Sequence, residues 1–233
     1  MKDYSKILKK YYIEKEIGVN SFNCPNFKDC GQSVYPRPIY RSTETYIGTN
    51  YGETVRIVCL QEGGGEKPHD MDQRRKEVEY LDTLEDIELS QMMIGIKRLM
   101  TQVLDFIVPD TRRIHSYYAL ANIANCSLEE AVHHTNPIQL YRNCSGYLLD
   151  ELFLLEPNLI ITLGPLSSSA LGILSELRRD VLEFAIANPD LEEEDNARMI
   201  QLGQRYLGVL SFKNGTSVCR QSNSDRYAQN LRD

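Results

Sequence analysis

The chain has 233 residues, a formal net charge of −7, 25% charged and 42% hydrophobic residues, and no tryptophan. That composition is ordinary for a soluble globular protein and excludes a disordered or collagen-like chain. No apolar run approaches the ~20 residues needed to span a bilayer, and the acidic balance argues against broad nucleic-acid binding except through a local basic patch. The length fits one core and a single domain over 1–233. The charged start, MKDYSKILKKYYIEKE, has no apolar signal core. A cytoplasmic, monomeric protein is the expectation.

In chain order, Ile7, Leu8, Tyr11, Tyr12 and Ile13 recur at helical spacing and predict a short amphipathic helix over 3–17. The following SFNCPNFKDCGQSVYPRPIY is rich in Pro, Asn and Gly and reads as an irregular loop carrying Cys24 and Cys30. Residues 40–54 suit a hairpin or an extended approach to the core. Val55 to Leu60 has the β-branched, apolar composition of a buried strand and runs into Gln61-Glu62-Gly63-Gly64-Gly65-Glu66, a strand-then-glycine turn of the kind that builds ligand loops.

Residues 71–107 read as one helix, with Leu89, Met92, Met93, Ile96, Leu99, Met100, Val103 and Leu104 at helical spacing; this methionine-rich stripe is read as core packing. Pro109 stops the helix. A second strand spans Tyr117 to Ile123, a helix 145–156 ends at Pro157, and a third strand spans Leu159 to Leu163 and ends at Gly164, a usual edge of an α/β cleft. Ser167–Phe184 reads as a further helix, the acidic run Asp190 to Asp195 as a solvated segment, and 185–205 as an insertion. The fourth strand is either Tyr206–Phe212 or Thr216–Arg220. Alternating strands and helices predict a three-layer α/β/α sandwich around a mainly parallel four-stranded sheet.

Of six cysteines, Cys59 inside a strand and Cys219 read as small buried hydrophobes. Cys24, Cys30, Cys126 and Cys144 form two sequence-separated pairs in segments read as loops. In a cytoplasmic chain such pairs point to metal before disulfides. Four thiolates can hold either a tetrahedral zinc or a cubane iron–sulfur cluster, and spacing does not separate the two.

The order of these features resembles the iron–sulfur branch of the uracil-DNA glycosylase superfamily, families four and five. The resemblance rests on a cysteine pair, a strand entering a glycine-rich turn, Asn122-Ile-Ala-Asn-Cys126, and Cys144 leading a helix into Glu156-Pro-Asn-Leu-Ile-Ile-Thr-Leu-Gly164. It covers most of Cys24 to Ala170. It implies a [4Fe-4S] cluster on Cys24, Cys30, Cys126 and Cys144, and single- or double-stranded uracil-containing DNA as the partner. It places Asn122 where the family reads a flipped uracil, and an amide suits that task because it both donates and accepts. Gln61 and Glu62 fall on the turn where a carboxylate would orient water or stabilise the developing sugar cation, with Glu62 the better chemical match. Gly63, Gly64 and Ser222 are placed with the substrate.

Four features depart from the family pattern. Five residues rather than two separate the first cysteine pair, the turn lacks its proline, and residues 66–95 offer no stacking aromatic. Arg220, in Arg220-Gln221-Ser222, stands in place of the histidine of the family's last motif; an arginine would stabilise a departing anion but does not shuttle protons. The resemblance therefore carries two function readings: a glycosylase hydrolysing the bond to a damaged base, and a non-catalytic nucleic-acid or nucleotide-binding module on the same fold. A zinc-stabilised structural protein is the third.

Three further signals are assigned bland roles. Arg112-Arg113-Ile114-His115 precedes the asparagine strand, where some superfamily members carry a similar sequence after it, and is read as a chance match. His133-His134 is read as polar loop, and the basic residues Arg74-Arg75-Lys76 and Lys97-Arg98 as solvated helix faces. The glycine run lacks the Gly-Lys-Ser/Thr of a phosphate loop.

Overall fold

A computed structural model describes residues 2–32, 34–35, 40–63, 70–89, 91–104, 111–128, 133–134, 137–163, 181–186, 196–202 and 205–212. The first helix, α1 (Tyr4–Glu14), is capped by the Asp3 side chain, which accepts from the Lys6 main-chain N–H. It buries Tyr4, Leu8, Tyr11 and Tyr12, while Ile13 stays 66% exposed. The apolar stripe is thus set by three tyrosines and one leucine. Short elements follow: α2 (Phe27–Gln32), β1 (Val34–Tyr35), β2 (Tyr40–Ser42) and β3 (Tyr46–Ile47).

The strand read as ending at Leu60 continues as β4 (Ile57–Gly63), so Gln61 and Glu62 lie in the strand and not in the turn. Pairing explains the extension: Gln61 is in register with Asn122 and Gly63 with Ala124 on the neighbouring β5, and each added pair brings its main-chain groups into the ladder. The single helix expected over 71–107 is two, α3 (Met71–Tyr80) and α4 (Gln91–Leu104), separated by 3-10 turns at Leu81–Thr83 and Asp86–Glu88. The second turn is closed by a capping box between Glu85 and Glu88. Met93 and Met100 are buried, as core packing requires.

Next come β5 (Tyr118–Ala124), β6 (Cys126–Leu128), β7 (His133–His134), α5 (Pro137–Leu155) and β8 (Leu159–Leu163). Helix α5 starts well before residue 145, so Cys144 sits inside it rather than at a loop end. Of the two choices for the last parallel strand, Tyr206–Phe212 is the strand; 216–220 lies outside the described residues, as does Cys219. Residues 181–184, read as the end of a helix, begin β9 (Val181–Ile186), which pairs antiparallel with β10 (Asn196–Leu202), itself antiparallel to β11 (Arg205–Phe212). The alternation Val181, Glu183, Ala185 against Leu182, Phe184, Ile186 serves a strand as readily as a helix, and cross-strand pairing decided it. The Asp190–Asp195 run lies outside the described residues.

The main sheet runs β3-β5-β4-β8-β11-β10-β9. Four neighbouring strands, β5, β4, β8 and β11, are mutually parallel, while β3 pairs antiparallel with β5 at one edge and β10 pairs antiparallel with both β11 and the edge strand β9 at the other. The fold is α/β as expected, but the sheet is mixed. Side chains alternate along the strands. Val58, Leu60, Ala119, Ala121, Ile123 and Ile160 face a core shared with α1 and α5. Ile57, Cys59, Tyr118, Leu120, Ile161 and Leu163 face another, shared with α4. Cys59 is fully buried there, and burial pushes its thiol far above the usual range. Among the described residues no helix is long and apolar enough to cross a membrane.

Candidate functional site

Two of the residues singled out from the sequence meet on adjacent strands. Gln61 Nε2 donates to Asn122 Oδ1 at 2.6 Å, across the register pair that joins β4 to β5. Asn122 is 2% exposed, and its Nδ2 is buried without a hydrogen-bond partner among the described residues. A buried amide donor left unpaired costs about 1–3 kcal/mol, so Nδ2 is a group that a bound acceptor would satisfy. Both residues lie toward the C-terminal ends of parallel strands, where α/β sheets place ligands. They continue the Cys59 and Leu120 face of the sheet, the face of α4. Glu62 and Gly63 follow Gln61 along β4. Gly64, Arg220 and Ser222 lie outside the described residues.

The four cysteines assigned to metal, Cys24, Cys30, Cys126 and Cys144, line one pocket with Ile17, Phe22, Phe27, Asn125 and Tyr147. Three segments deliver them. Cys24 precedes α2 in a turn closed by the Phe27 N–H on the Cys24 carbonyl at 3.1 Å, and Cys30 lies within α2. The loop is held to α5 by Asn26 Nδ2, which donates to the Asn143 carbonyl at 3.0 Å. Cys126 opens β6, in register with Ser42 of β2, and Cys144 projects from the middle of α5. The expectation that all four sit in loops is corrected. Cys30 and Cys144 are helical and buried, and Cys24 and Cys126 are half-buried.

The sulfurs are supplied with donors. Asn143 Nδ2 donates to Cys30 Sγ at 3.2 Å. The Tyr147 hydroxyl and the Asn26 main-chain N–H donate to Cys24, and the Asn125 main-chain N–H donates to Cys144. Cys126 donates to Cys144, which lowers the Cys144 thiol and raises that of Cys126; burial raises Cys24 and Cys30. Soft thiolates with N–H···S donors in an apolar wall are the donor set of a zinc or an iron–sulfur site. Yet among the described residues no three His, Cys, Asp or Glu side chains are placed so as to hold a single metal ion. Four sulfurs about one zinc would stand ~3.8 Å apart, given a Zn–S bond of ~2.3 Å. In a cubane each cysteine binds a different iron, and the sulfurs stand further apart.

Sequence reasoning missed what stands behind this pocket. Glu151, on α5 and fully buried, accepts from Thr45 Oγ1 at 2.6 Å and from Asn125 Nδ2, with Tyr12 and Arg74 nearby. The Tyr12 oxygen in turn accepts from the Thr45 main-chain N–H at 3.0 Å. Burial outweighs these partners and pushes the Glu151 carboxyl up to about 7. The only signal in the sequence was an acid within the apolar helix Leu148-Leu149-Asp150-Glu151-Leu152.

The bland readings are partly revised. His115, in the run read as a chance match, is fully buried. Its Nδ1 lies 2.6 Å from Asp82 Oδ1, and its main-chain N–H donates to the same oxygen at 3.2 Å. Arg74, read as a solvated face, is 7% exposed and donates to the Glu44 carbonyl. His133-His134 forms β7, which pairs with β1. No protein-family model matches the chain, and no curated protein is significantly similar to it.

Proposed function

We propose that this protein is a uracil-DNA glycosylase-like enzyme of the iron–sulfur type, which takes a flipped uracil or related damaged base and hydrolyses its N-glycosidic bond. The observation that carries the reading is that the four cysteines singled out by the resemblance line one pocket, although 120 positions separate Cys24 from Cys144. The pairing of Gln61 with Asn122 supports it independently. So do helices on both faces of a sheet with four parallel strands, the arrangement expected of a three-layer glycosylase-type domain.

On this reading Cys24, Cys30, Cys126 and Cys144 hold a [4Fe-4S] cluster that ties the N-terminal loop to α5 and β6. The cluster serves as a scaffold and takes no part in the bond cleavage. Gln61 occupies one lone pair of Asn122 Oδ1 and so fixes the amide's orientation. The unpaired Nδ2 then donates to a base carbonyl, and the second lone pair of Oδ1 accepts the ring N–H beside it. This two-point match distinguishes uracil from cytosine, which lacks that N–H. The Glu62 carboxylate accepts a proton from water as the C1′–N bond breaks and the new C1′–O bond forms. The electron pair of the broken bond leaves on the base, and Arg220 stabilises that negative charge.

Single-turnover release of uracil from single- and double-stranded oligonucleotides tests the assignment. Asn122→Ala and Glu62→Gln should each slow release by a factor of roughly a hundred or more. A wild-type protein that binds such strands but releases no uracil supports the second reading, the non-catalytic module. The observation favouring that reading is the substitution of Arg220 for a proton-carrying histidine.

A further inference from the structure

We infer that Glu151 is the positioning residue of the four-cysteine site, holding Asn125 so that its main-chain N–H meets Cys144 and its successor Cys126 enters the pocket. This rests on the reading of the pocket as a metal-cluster site. Asn125 joins β5 to β6 and forms part of the pocket wall. Its three polar contacts point in three directions: the side-chain Nδ2 to Glu151, the main-chain N–H to Cys144, and the carbonyl to the Thr43 N–H at 2.9 Å. With the amide turned toward Glu151, Asn125 Oδ1 is left buried and without a partner among the described residues. The fold leaves that oxygen unpaired and keeps the Glu151 contact. Glu151 lies seven residues beyond Cys144, two turns along α5 and on the same face, so one rigid helix carries both the anchor and the thiol it serves. The second carboxylate oxygen is held by Thr45, between β2 and β3, so the anchor is fixed from both sides. Partners one layer behind the ligands typically change metal affinity ten- to a hundredfold.

The test uses the full chain, purified anaerobically, loaded with ferrous iron and sulfide, and compared among wild type, Glu151→Ala, Glu151→Gln, Asn125→Ala and Leu99→Ala. Leu99→Ala removes a buried side chain from the other core and controls for lost stability. Two readouts are taken: the rate of iron loss to a chelator, and, on metal-stripped protein, the rates of Cys126 and Cys144 alkylation by iodoacetamide. Glu151→Ala and Asn125→Ala should lose iron about tenfold faster or more and alkylate faster. Glu151→Gln should recover most of both, because its carbonyl oxygen still accepts from Asn125 and the Thr45 hydroxyl can accept from its amide. Leu99→Ala should match wild type. Should Glu151→Ala not fold, Asn125→Ala decides alone, since it leaves Glu151 paired with Thr45. Wild-type rates in Asn125→Ala, or equal losses in Leu99→Ala, overturn the proposal. A wild type that takes up no iron sinks the cluster reading instead. The alkylation rates then decide the positioning role on their own, and unchanged rates would end it.

Discussion

Glu151 makes pH a probe of the buried network. Its carboxyl sits at about 7 in the fold against 4.5 unfolded, so between those values the folded chain binds more protons than the unfolded one. Stability then falls as pH rises from 4.5 through 7. In metal-stripped protein the unfolding free energy, taken relative to Glu151→Gln, should drop on the order of 2 kcal/mol between pH 5 and 8. Denaturant titrations at the two pH values measure it, and a flat difference would remove Glu151 from the account. Asp82 is a second buried acid with an assignable task, since one of its oxygens meets both the ring and the main chain of His115. Asp82→Ala should destabilise by about 2–4 kcal/mol, because it leaves two buried groups of His115 unpaired; the shift in denaturant midpoint reads this directly.

At the scale of elements, α5 carries Cys144, Glu151 and the side chains that face the sheet. Gly146 is exposed in its middle, and an added Cβ there would meet nothing within 4 Å. Gly146→Ala should therefore stabilise by about 0.5–1 kcal/mol through helix propensity. At Gly48, just after β3, the same change should destabilise strongly, because a Cβ would stand 2.1 Å from the Ser116 carbonyl oxygen. Comparing the two melting temperatures checks the placement of both elements. The β4–β5 ladder also shows where sequence and structure part. The strand was legible to Leu60 from its β-branched run, but its continuation through Gln61 was not. A glutamine and a glutamate read as turn on composition, and only the neighbour Asn122 gives them a reason to be strand.

For the whole molecule, the cysteine cradle is the joint between parts distant in sequence. A cluster bound there would link the loop before α2, the start of β6 and the middle of α5. An absorption band near ~400 nm, as a cubane gives, with about four irons per chain is the expected result for anaerobically purified protein. Cys126→Ala should lose that colour and unfold at lower denaturant, since the linkage free energy goes with the metal. Zinc in place of iron would support the structural reading, and the glycosylase assignment would lose its main support.

The sequence by itself determined the local periodicities, namely the amphipathic α1, the apolar cores of β4, β5 and β8, and the methionine stripe of α4. It also singled out the residues proposed for chemistry, among them four cysteines, two amides and an acid. These are properties of neighbouring residues, and helix and strand periods register them directly. Tertiary structure alone decided that the four cysteines share a pocket, that Asn122 meets Gln61, that 181–186 is a strand, and that Glu151 and His115 are buried with partners. Such facts depend on register and on which surfaces meet, and both are set by contacts between separate segments of the chain. For a buried acid the difference matters most, because its protonation is fixed by the groups that enclose it, and a single chain segment does not contain them.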